Sequence, residues 1–487
     1  MGTDASPAIR FLLDGEVIAL RDLPPTTTVL EWLREHRGRC GTKEGCNEGD
    51  CGACTVVIGR LRDGRIERRA INSCIRFVAT LDGCELLTVE SLSPSSGPLH
   101  PVQQALVDHH ASQCGYCTPG FVMALYAQYL ANPAPSRDQV LDALSGNLCR
   151  CTGYRPIVDA ALALKDYPDQ GPWSRADAAS PPRLAALVAI QRDAALTLPG
   201  YAAPRTLEAL ADAYAADPGA QLLAGGTDVG LWVTKQDRAF ASILYLGDIA
   251  ELQRIEYRGD TLVIGAAVTL AEAWAALVAE HPPLADLARR FASTLVNNSG
   301  TLCGNLGNGS PIGDAMPALI ALGAEVHLRC GSATRTMPLE NLYLGYQKKD
   351  LAAGEFIASV QVPRAVSGLR LAAYKLSKRA DQDISAVCAG LAVTMAGERI
   401  ASARIGFGGV AAVPARARHA EAALLGQPWT ADVFARAAAA LAQDFQPLDD
   451  LRGSAAYRRL SAARLLERFR LEHAAQPVRL RIEQVSG

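Results

Sequence analysis

Thirteen cysteines, eight of them in two close groups between Cys46 and Cys151, constrain this 487-residue chain more than any other feature. The number of cysteines is odd, and the segment Met1 to Ile9 lacks a basic region followed by an apolar core. We therefore expect neither a secretion signal nor a disulfide framework. Clustered cysteines in a reducing compartment act more often as metal ligands or reactive thiols. The sequence predicts a cytoplasmic protein with metal or redox chemistry in its first third.

The remaining composition is that of a soluble globular protein, with 49% apolar residues, 20% charged residues and a formal net charge of −2. This balance provides no basic surface for nucleic acid or acidic lipid. No apolar run approaches the roughly 18 residues that a membrane span needs. At 487 residues the chain is long enough for three or four domains. We expect neither a nucleic-acid partner nor a membrane partner.

Hydrophobic periodicity predicts short strands first, helices next, and mixed structure in the second half of the chain. The expected elements are a β-hairpin turning at Asp14-Gly15, a helix over 28–37, strands over 55–59 and 86–89, a helical region over 100–165, a linker over 166–200 with a helix over 184–194, strands over 221–224, 242–246 and 261–264, a helix over 270–280, strands over 370–375, 389–395 and 404–407, and helices over 416–425 and 431–443.

The first cysteine group consists of Cys46, Cys51 and Cys54 in the spacing C-x4-C-x2-C, followed after nineteen residues by Cys74. Plant-type ferredoxins space the ligands of a 2Fe–2S cluster in this way. Three glycines between residues 45 and 54 allow the loop to wrap closely and to aim backbone N–H groups at the sulfurs. A zinc site is the alternative, but zinc sites favour two C-x2-C pairs over the x4 gap.

The second group is Cys114-x2-Cys117, followed after 31 residues by Cys149-x-Cys151. Thr118-Pro119 predicts a helix start with Thr118 as the N-cap, and Pro156 predicts another helix start just past Cys151. Two helix N-termini facing a cluster would stabilise its negative charge. These cysteines alone could bind zinc, but beside a ferredoxin loop a second 2Fe–2S cluster is the better interpretation.

Two glycine-rich segments lie in the second half of the chain. The segment 222–230 reads as a strand, a glycine turn and a helix start, which can present N–H groups to a phosphate. By itself it is more often a plain strand–helix turn, and it lacks the G-x-G-x-x-G pattern. The segment 298–314 holds five glycines in seventeen residues and either is disordered or cradles an anion. Together the two segments favour a pyrophosphate site.

Three strings, over 42–55, 113–120 and 146–155, resemble the molybdenum hydroxylase (xanthine oxidase) family, and within it the iron–sulfur and flavin chains, or small subunits, of bacterial xanthine dehydrogenases. The resemblance runs along nearly the full chain. It implies a multidomain α+β fold with a linker, in this order: a plant-type 2Fe–2S ferredoxin β-grasp domain over 1–92, an all-α 2Fe–2S domain over 93–166, a linker over 167–198, an α+β FAD-binding domain over 199–366 and a small α+β C-terminal flavoprotein domain over 367–487.

The resemblance also implies the cofactors and their order. Electrons enter a cluster held by Cys114, Cys117, Cys149 and Cys151 and pass to a cluster held by Cys46, Cys51, Cys54 and Cys74. They then reach FAD and finally NAD. Gln113 corresponds to a position that approaches molybdopterin in a partner chain. The residues implied for FAD are Leu222, Leu223, Ala224, Gly225, Gly226, Thr227, Asp228, Val229, Phe291, Thr301, Gly304, Asn305, Ser310, Asp314, Ile357 and Lys375.

Cys303 departs from the family, which usually has glycine at this position. A side chain there could crowd the flavin loop or point away from it, so Cys303 is not assigned a contact. Tyr346 and the 378–383 loop match a region that flanks the flavin on the nicotinamide side, although an exposed charged loop explains them equally well.

By this resemblance, the chain is the electron-transfer subunit of an NAD-dependent xanthine dehydrogenase in purine catabolism. A separate large subunit carries molybdopterin and the substrate site, in a heterotetramer of two small and two large chains. No side chain of this chain is expected to be catalytic, because the cofactors carry the redox chemistry. The alternatives are a subunit of an aldehyde or N-heterocycle hydroxylase and, less favoured, a non-enzymatic iron–sulfur sensor or assembly protein.

Overall fold

The computed structural model describes residues 7–92 and 97–474, together with Gln476 and Val478. Residues 1–6, part of the segment inspected for a secretion signal, lie outside the described residues, as do 93–96 at the predicted domain boundary and most residues past 474. The chain divides into two compact units. The first comprises Met1–Leu210, Gly219–Ile249 and Ala292–Gly300, and the second comprises Ala211–Pro218, Ala250–Phe291 and Thr301–Gly487.

The first unit begins with a five-stranded sheet, which confirms the predicted β-hairpin. Asp14 and Gly15 connect its first two strands with φ of 57° and 88°, the left-handed geometry of a tight hairpin turn. In sheet order the strands are Glu16–Leu20, Ile9–Leu13, Glu85–Leu87, Thr55–Arg62 and Arg65–Asn72. The strand predicted to reach Val89 ends at Leu87, because a 3₁₀ turn, Val89–Leu92, begins there.

The helix predicted over 28–37 is a short α-helix, Val29–Glu31, that continues as a π-helical turn, Trp32–His36. Thr28 caps it by accepting a hydrogen bond from the Glu31 N–H. Two 3₁₀ turns, Ser73–Ile75 and Val78–Leu81, follow the fourth strand along the chain. The first of these turns carries Cys74.

Four α-helices form the predicted helical region: Pro101–Asp108, Thr118–Ala131, Arg137–Leu144 and Arg155–Ala163, with a 3₁₀ turn at Leu164–Asp166. The helices bury apolar side chains such as Val102 and Phe121. Helix Arg137–Leu144 buries only Val140 and Leu144, and its Leu141 is 38% exposed.

The predicted linker is more structured than its composition indicates. It contains the helices Arg175–Ala178 and Pro181–Ala189, and the strand Leu196–Leu198 lies at its end. The helix expected over 184–194 begins earlier, because Pro181 suits a first helical turn. It ends at Ala189.

The first unit also contains a small four-stranded sheet and two short helices. In sheet order the strands are Leu196–Leu198, Tyr201–Ala203, Ile243–Tyr245 and Gln221–Leu223, and the helices are Val229–Thr234 and Thr294–Asn297. A further helix, Leu207–Ala216, precedes the strand Gln221–Leu223 in the chain.

The second unit has an antiparallel five-stranded sheet with strands in the order Ile255–Arg258, Thr261–Gly265, Phe356–Pro363, Glu325–Cys330 and Ala333–Pro338. Its α-helices are Leu270–Glu280, Ala285–Arg289, Leu302–Asn308 and Ala315–Leu322. Its shorter elements are the 3₁₀ turns Ala250–Gln253, Pro282–Leu284 and Leu339–Leu342 and the hairpin strands Tyr343–Gly345 and Lys348–Lys349.

The C-terminal part of the second unit is a sheet packed with helices, the α+β organisation that was predicted. The strands are Arg370–Leu376, Val387–Ala396, Arg399–Gly408 and Ala415–Arg416, and the helices are Arg418–Leu424, Ala431–Asp444 and Ala455–Glu472. Sequence analysis missed the last of these helices, which Ser454 caps by accepting from the Tyr457 N–H.

Candidate redox cofactor sites

The plant-type cysteine group lies in the loop before strand Thr55–Arg62 and in the 3₁₀ turn Ser73–Ile75. Backbone N–H groups point at its sulfurs: Cys46 donates to the Cys51 sulfur at 3.3 Å, and Asp50 and Cys51 donate to the Cys46 sulfur at 3.4 and 3.3 Å. Cys54 and Cys74 are buried, with exposures of 2% and 1%. The loop therefore provides the shielded, N–H-lined environment that an anionic cluster requires.

The four thiols of this group approach each other as two pairs. The pKa of Cys46 is lowered to about 5, chiefly because its sulfur accepts a hydrogen bond from Cys51. The same bond raises the pKa of Cys51. Cys54 and Cys74 form the second pair, in which their hydrogen bond lowers the pKa of Cys54 and raises that of Cys74.

Two thiolate pairs are the donor set that a two-iron cluster requires, with one pair for each iron. Within the described residues, no three His, Cys, Asp or Glu side chains converge on one point that could hold a metal ion. This arrangement fits a 2Fe–2S cluster better than a tetrahedral zinc site, which needs four ligands around one centre.

The helical-region group has the same pairing but a more open position. The Cys151 thiol hydrogen-bonds to Cys114, and Cys117 hydrogen-bonds to Cys149. Burial and the bond to Cys149 raise the pKa of Cys117 to about 12. Cys114 and Cys151 are exposed at the protein surface.

Helix starts flank this second group, with one correction to the prediction. Thr118 is the first residue of its helix, and Cys117 occupies the N-cap position. The Cys117 side chain makes no capping hydrogen bond. Pro156 lies in the first turn of helix Arg155–Ala163, as predicted. Cys149 is held by its N–H, which donates to the Tyr154 hydroxyl at 2.9 Å.

Backbone contacts join the two cysteine groups. The Leu148 N–H donates to the Cys51 carbonyl at 2.9 Å. The Asn147 side-chain amide donates to the Gly52 carbonyl and the Thr55 hydroxyl, both at 3.0 Å. A methyl group added at Gly120 would overlap the Gly52 carbonyl oxygen, so glycine permits the close approach. The sequence analysis did not assign a role to Asn147, although this residue lies in the segment 146–155, two residues before Cys149.

The first predicted flavin segment lies beside the plant-type group. It forms the predicted strand Gln221–Leu223, a turn, and helix Val229–Thr234. Gly226 has a φ of 79°, and Gly230 lies so close to the Ile75 carbonyl that an added methyl group would overlap it. Ile75 directly follows Cys74, so this flavin segment contacts the residue next to a predicted cluster ligand. Burial raises the pKa of Asp228, which lies in this turn.

The second predicted flavin segment, which belongs to the second unit from Thr301 onward, contains a capped helix and is not a disordered loop. The Thr301 hydroxyl accepts from the Gly304 N–H at 3.0 Å, and helix Leu302–Asn308 ends at Gly309 with a φ of 65°. The Asn305 side-chain oxygen is buried and has no partner among the described residues, so a ligand hydroxyl or amine could donate to it. This orphaned acceptor fits a nucleotide cofactor.

Other predicted flavin residues of the second unit contact each other. Lys375 forms a buried ion pair with Asp314 at 2.6 Å, and Ser385 donates to the same carboxylate at 2.5 Å. Phe291 is buried against Trp274, with ring centroids 5.4 Å apart. The Cys303 thiol is buried and donates to the Ile264 carbonyl at 3.8 Å.

The predicted FAD residues are thus divided between the units: Leu222 to Val229 belong to the first, and the others belong to the second. Their contact with FAD stays a prediction. Of the five cysteines outside the two groups, Cys84, Cys303 and Cys388 are buried, Cys330 is half-buried and Cys40 is exposed.

Four family models match the chain in succession. They are the "2Fe-2S iron-sulfur cluster binding domain" over 12–79, the "[2Fe-2S] binding domain" over 88–162, the "FAD binding domain in molybdopterin dehydrogenase" over 194–365 and the "CO dehydrogenase flavoprotein C-terminal domain" over 372–473. The first two each span one cysteine group.

Curated relatives include the xanthine dehydrogenase of Emericella nidulans, which is 32% identical over 95% of this chain and 38% of its own length. Aldehyde oxidase 2 of Cavia porcellus is 29% identical over 88% of this chain and 37% of its own length. The chain therefore spans less than two fifths of each of these relatives.

Among solved structures, a carbon monoxide dehydrogenase from Hydrogenophaga pseudoflava is similar with a TM-score of 0.52 and 29% identity, covering 55% of this chain and 94% of the matched chain. In the part of this chain that the structure describes, no helix combines the length and apolarity needed to span a bilayer. The successive domain matches and the named relatives together show that the chain belongs to the molybdenum hydroxylase (xanthine oxidase) family, with iron–sulfur and flavoprotein domains.

Proposed function

We propose that this chain is the electron-transfer subunit of an NAD-dependent xanthine dehydrogenase. A separate molybdopterin-containing chain oxidises hypoxanthine and xanthine in purine catabolism and passes electrons to this one. The observation that carries the proposal is a set of close contacts inside the first unit. Leu148, beside Cys149, donates to the Cys51 carbonyl, and Ile75, beside Cys74, lies against Gly230 in the first turn of helix Val229–Thr234.

The two cysteine groups would hold one 2Fe–2S cluster each, and the region over 194–365 that matches the FAD-binding domain would hold FAD. When bound, the clusters exchange single electrons and FAD exchanges two, with NAD as the final acceptor. The cysteine loops supply thiolate pairs and sulfur-directed N–H groups. Gly52 and Gly120 allow the plant-type loop to approach helix Thr118–Ala131 closely. A short separation between the two clusters would favour electron transfer.

The exposed cysteines mark the side where electrons enter. Cys114 and Cys151 lie at the surface beside exposed Gln113, whereas Cys54 and Cys74 are buried. An exposed cluster can approach a redox centre of another chain. We therefore propose that a large molybdopterin-binding subunit docks around Gln113, in a heterotetramer of two small and two large chains.

The proposed substrate is inferred from the names of the relatives. The xanthine dehydrogenase of Emericella nidulans supports xanthine, and the aldehyde oxidase of Cavia porcellus supports an aldehyde as the second candidate. A substrate panel of xanthine, hypoxanthine, an aldehyde and quinoline, offered to the chain co-purified with its partner, discriminates between these candidates. A non-enzymatic sensor is disfavoured by the FAD-binding domain match.

Divided activity tests the subunit assignment. The isolated chain should transfer electrons from NADH to a dye and should not oxidise xanthine. Adding the large chain should restore xanthine-dependent NAD reduction. Gln113→Arg should impair the restored reaction and spare NADH-to-dye transfer, whereas Val17→Arg, at a position that is 58% exposed on another element, should spare both. Xanthine turnover by the isolated, molybdenum-free chain would refute the assignment.

The flavin assignment has its own test. Asp228→Ala should lower the FAD content of the purified chain, because the half-buried Asp228 lies in the glycine turn. Asp193→Ala removes an exposed carboxylate outside the turn and should leave the FAD content unchanged. Equal FAD contents in the two variants would remove Asp228 from the site.

A further inference from the structure

Arg76 occupies an unusual position for a charged residue. It follows the cluster ligand Cys74 by two residues and is only 7% exposed. Covalent geometry keeps its Cα within about 7 Å of the Cys74 Cα. Its carbonyl accepts from the Val29 N–H at 2.7 Å, which fixes the backbone at this point.

The guanidinium of Arg76 lies between the plant-type group and the glycine turn. Its two terminal nitrogens donate to neutral oxygens, the Gly225 carbonyl at 3.5 Å and the Tyr245 hydroxyl at 3.1 Å. Its Nε is buried and has no partner within the described residues. The guanidinium is therefore hydrogen-bonded without being neutralised by these contacts.

The neighbouring carboxylates are engaged by other arginines. Asp82 pairs with Arg192 at 2.7 Å, and Asp248 lies 3.6 Å from Arg205. An arginine side chain carries a permanent positive charge. A permanent positive charge is thus held in a low-dielectric region beside a cluster ligand and the flavin turn.

We propose that Arg76 sets the reduction potential of the cluster held by Cys46, Cys51, Cys54 and Cys74. One-electron reduction adds one negative charge to that cluster and neither makes nor breaks a bond, so a fixed cation nearby stabilises the reduced form. Electrons then collect on the cluster that lies beside the flavin turn. This inference rests on the proposed function only in that the cluster is bound.

The test is a redox titration of the full chain, followed by the two cluster signals in electron paramagnetic resonance. Arg76→Gln keeps hydrogen-bond donors but removes the charge. At a separation of roughly 10 Å and an effective dielectric constant near 20, the ratio of reduced to oxidised plant-type cluster at fixed potential should fall about tenfold. The helical-region signal should shift less, and Arg76→Lys should restore most of the ratio.

Arg65→Gln is the control, because it removes one exposed positive charge from the same unit. Arg65 begins strand Arg65–Asn72, so its backbone is about 24 Å from Asn72, the end of the strand that leads to Cys74. Arg65→Gln should shift the plant-type signal much less than Arg76→Gln.

Three outcomes would overturn the proposal. They are an unmoved plant-type midpoint in Arg76→Gln, an equal shift in Arg76→Gln and Arg76→Lys, and loss of the cluster from both variants, which would assign Arg76 a structural role. Failure of the proposed function itself looks different, because the wild-type chain would then lack the two cluster signals or bound FAD.

Discussion

The two cysteine groups use similar pairing in opposite surroundings. In the plant-type group, Cys54 and Cys74 are buried, whereas in the helical group Cys114 and Cys151 are exposed. Burial excludes water and limits contact to neighbouring parts of the same chain. Exposure leaves a cluster reachable by another molecule. The same four-thiol chemistry can therefore hold a cluster that transfers electrons within one chain, or a cluster that exchanges electrons with another molecule.

The largest expected effect is the loss of one cluster while the other is kept. Cys51→Ser should abolish the plant-type 2Fe–2S signal and leave the helical signal, with iron falling from about four to about two atoms per chain, because each cluster needs its own four ligands. Metal analysis and paramagnetic resonance measure this outcome. Cys84→Ser, at a buried cysteine outside both groups, should retain both signals. Loss of both signals in Cys51→Ser would contradict independent sites.

Thiol reactivity should sharpen the contrast in cluster-free protein. Cys114 is exposed, and a hydrogen bond from the Tyr116 backbone lowers its pKa, so its thiolate fraction exceeds that of an ordinary cysteine. Cys74 is buried and its bond to Cys54 raises its pKa, so it should alkylate much more slowly than Cys114 at pH 7. Mass spectrometry after a timed iodoacetamide pulse measures both rates. Equal rates would show that the burial difference is not maintained in solution.

The contact between the groups can be broken at Gly120. Replacing a helical glycine by alanine ordinarily stabilises a helix by about 1 kcal/mol. At Gly120 the added methyl group meets the Gly52 carbonyl, so we expect a destabilisation of about 2 kcal/mol instead. Gly307→Ala is the control, because Gly307 is also helical and its methyl group would lie 3.8 Å from Ile357. Thermal unfolding of both variants decides, and stabilisation by Gly120→Ala would contradict the tight contact.

The smallest expected effect is a pH dependence confined to the helical region. Burial lowers the pKa of His100 from 6.5 to about 4. Between these values the unfolded chain binds a proton that the folded chain does not, so stability falls as the pH drops below 6.5. The loss should approach about 1 kcal/mol near pH 5.5. His100→Asn keeps a side-chain cap acceptor without this titration. Urea unfolding at pH 7 and 5.5 should show a smaller difference for that variant than for wild type.

Local sequence determined much of this protein. The spacings around Cys46 and Cys114, the Asp14-Gly15 turn and the helix over 270–280 are short-range features, and the structure reproduces the turn and that helix. Composition was a weaker guide in the Ala- and Pro-rich segment 166–200. One helix was expected there and two form, because apolar residues such as Leu187 are buried.

Contacts between segments that are distant in the sequence become visible only in the tertiary structure. The sequence indicates two ligand sets, but it does not show that Leu148 donates to Cys51 or that Ile75 lies against Gly230, because these pairs are separated by about a hundred residues or more. Nor does it reveal that Arg76 is buried between a cluster loop and a glycine turn, since burial depends on what packs over a side chain. Ligand identity follows from residue type and spacing, whereas shielding, contact and electrostatic surroundings arise only when the folded chain excludes water around them.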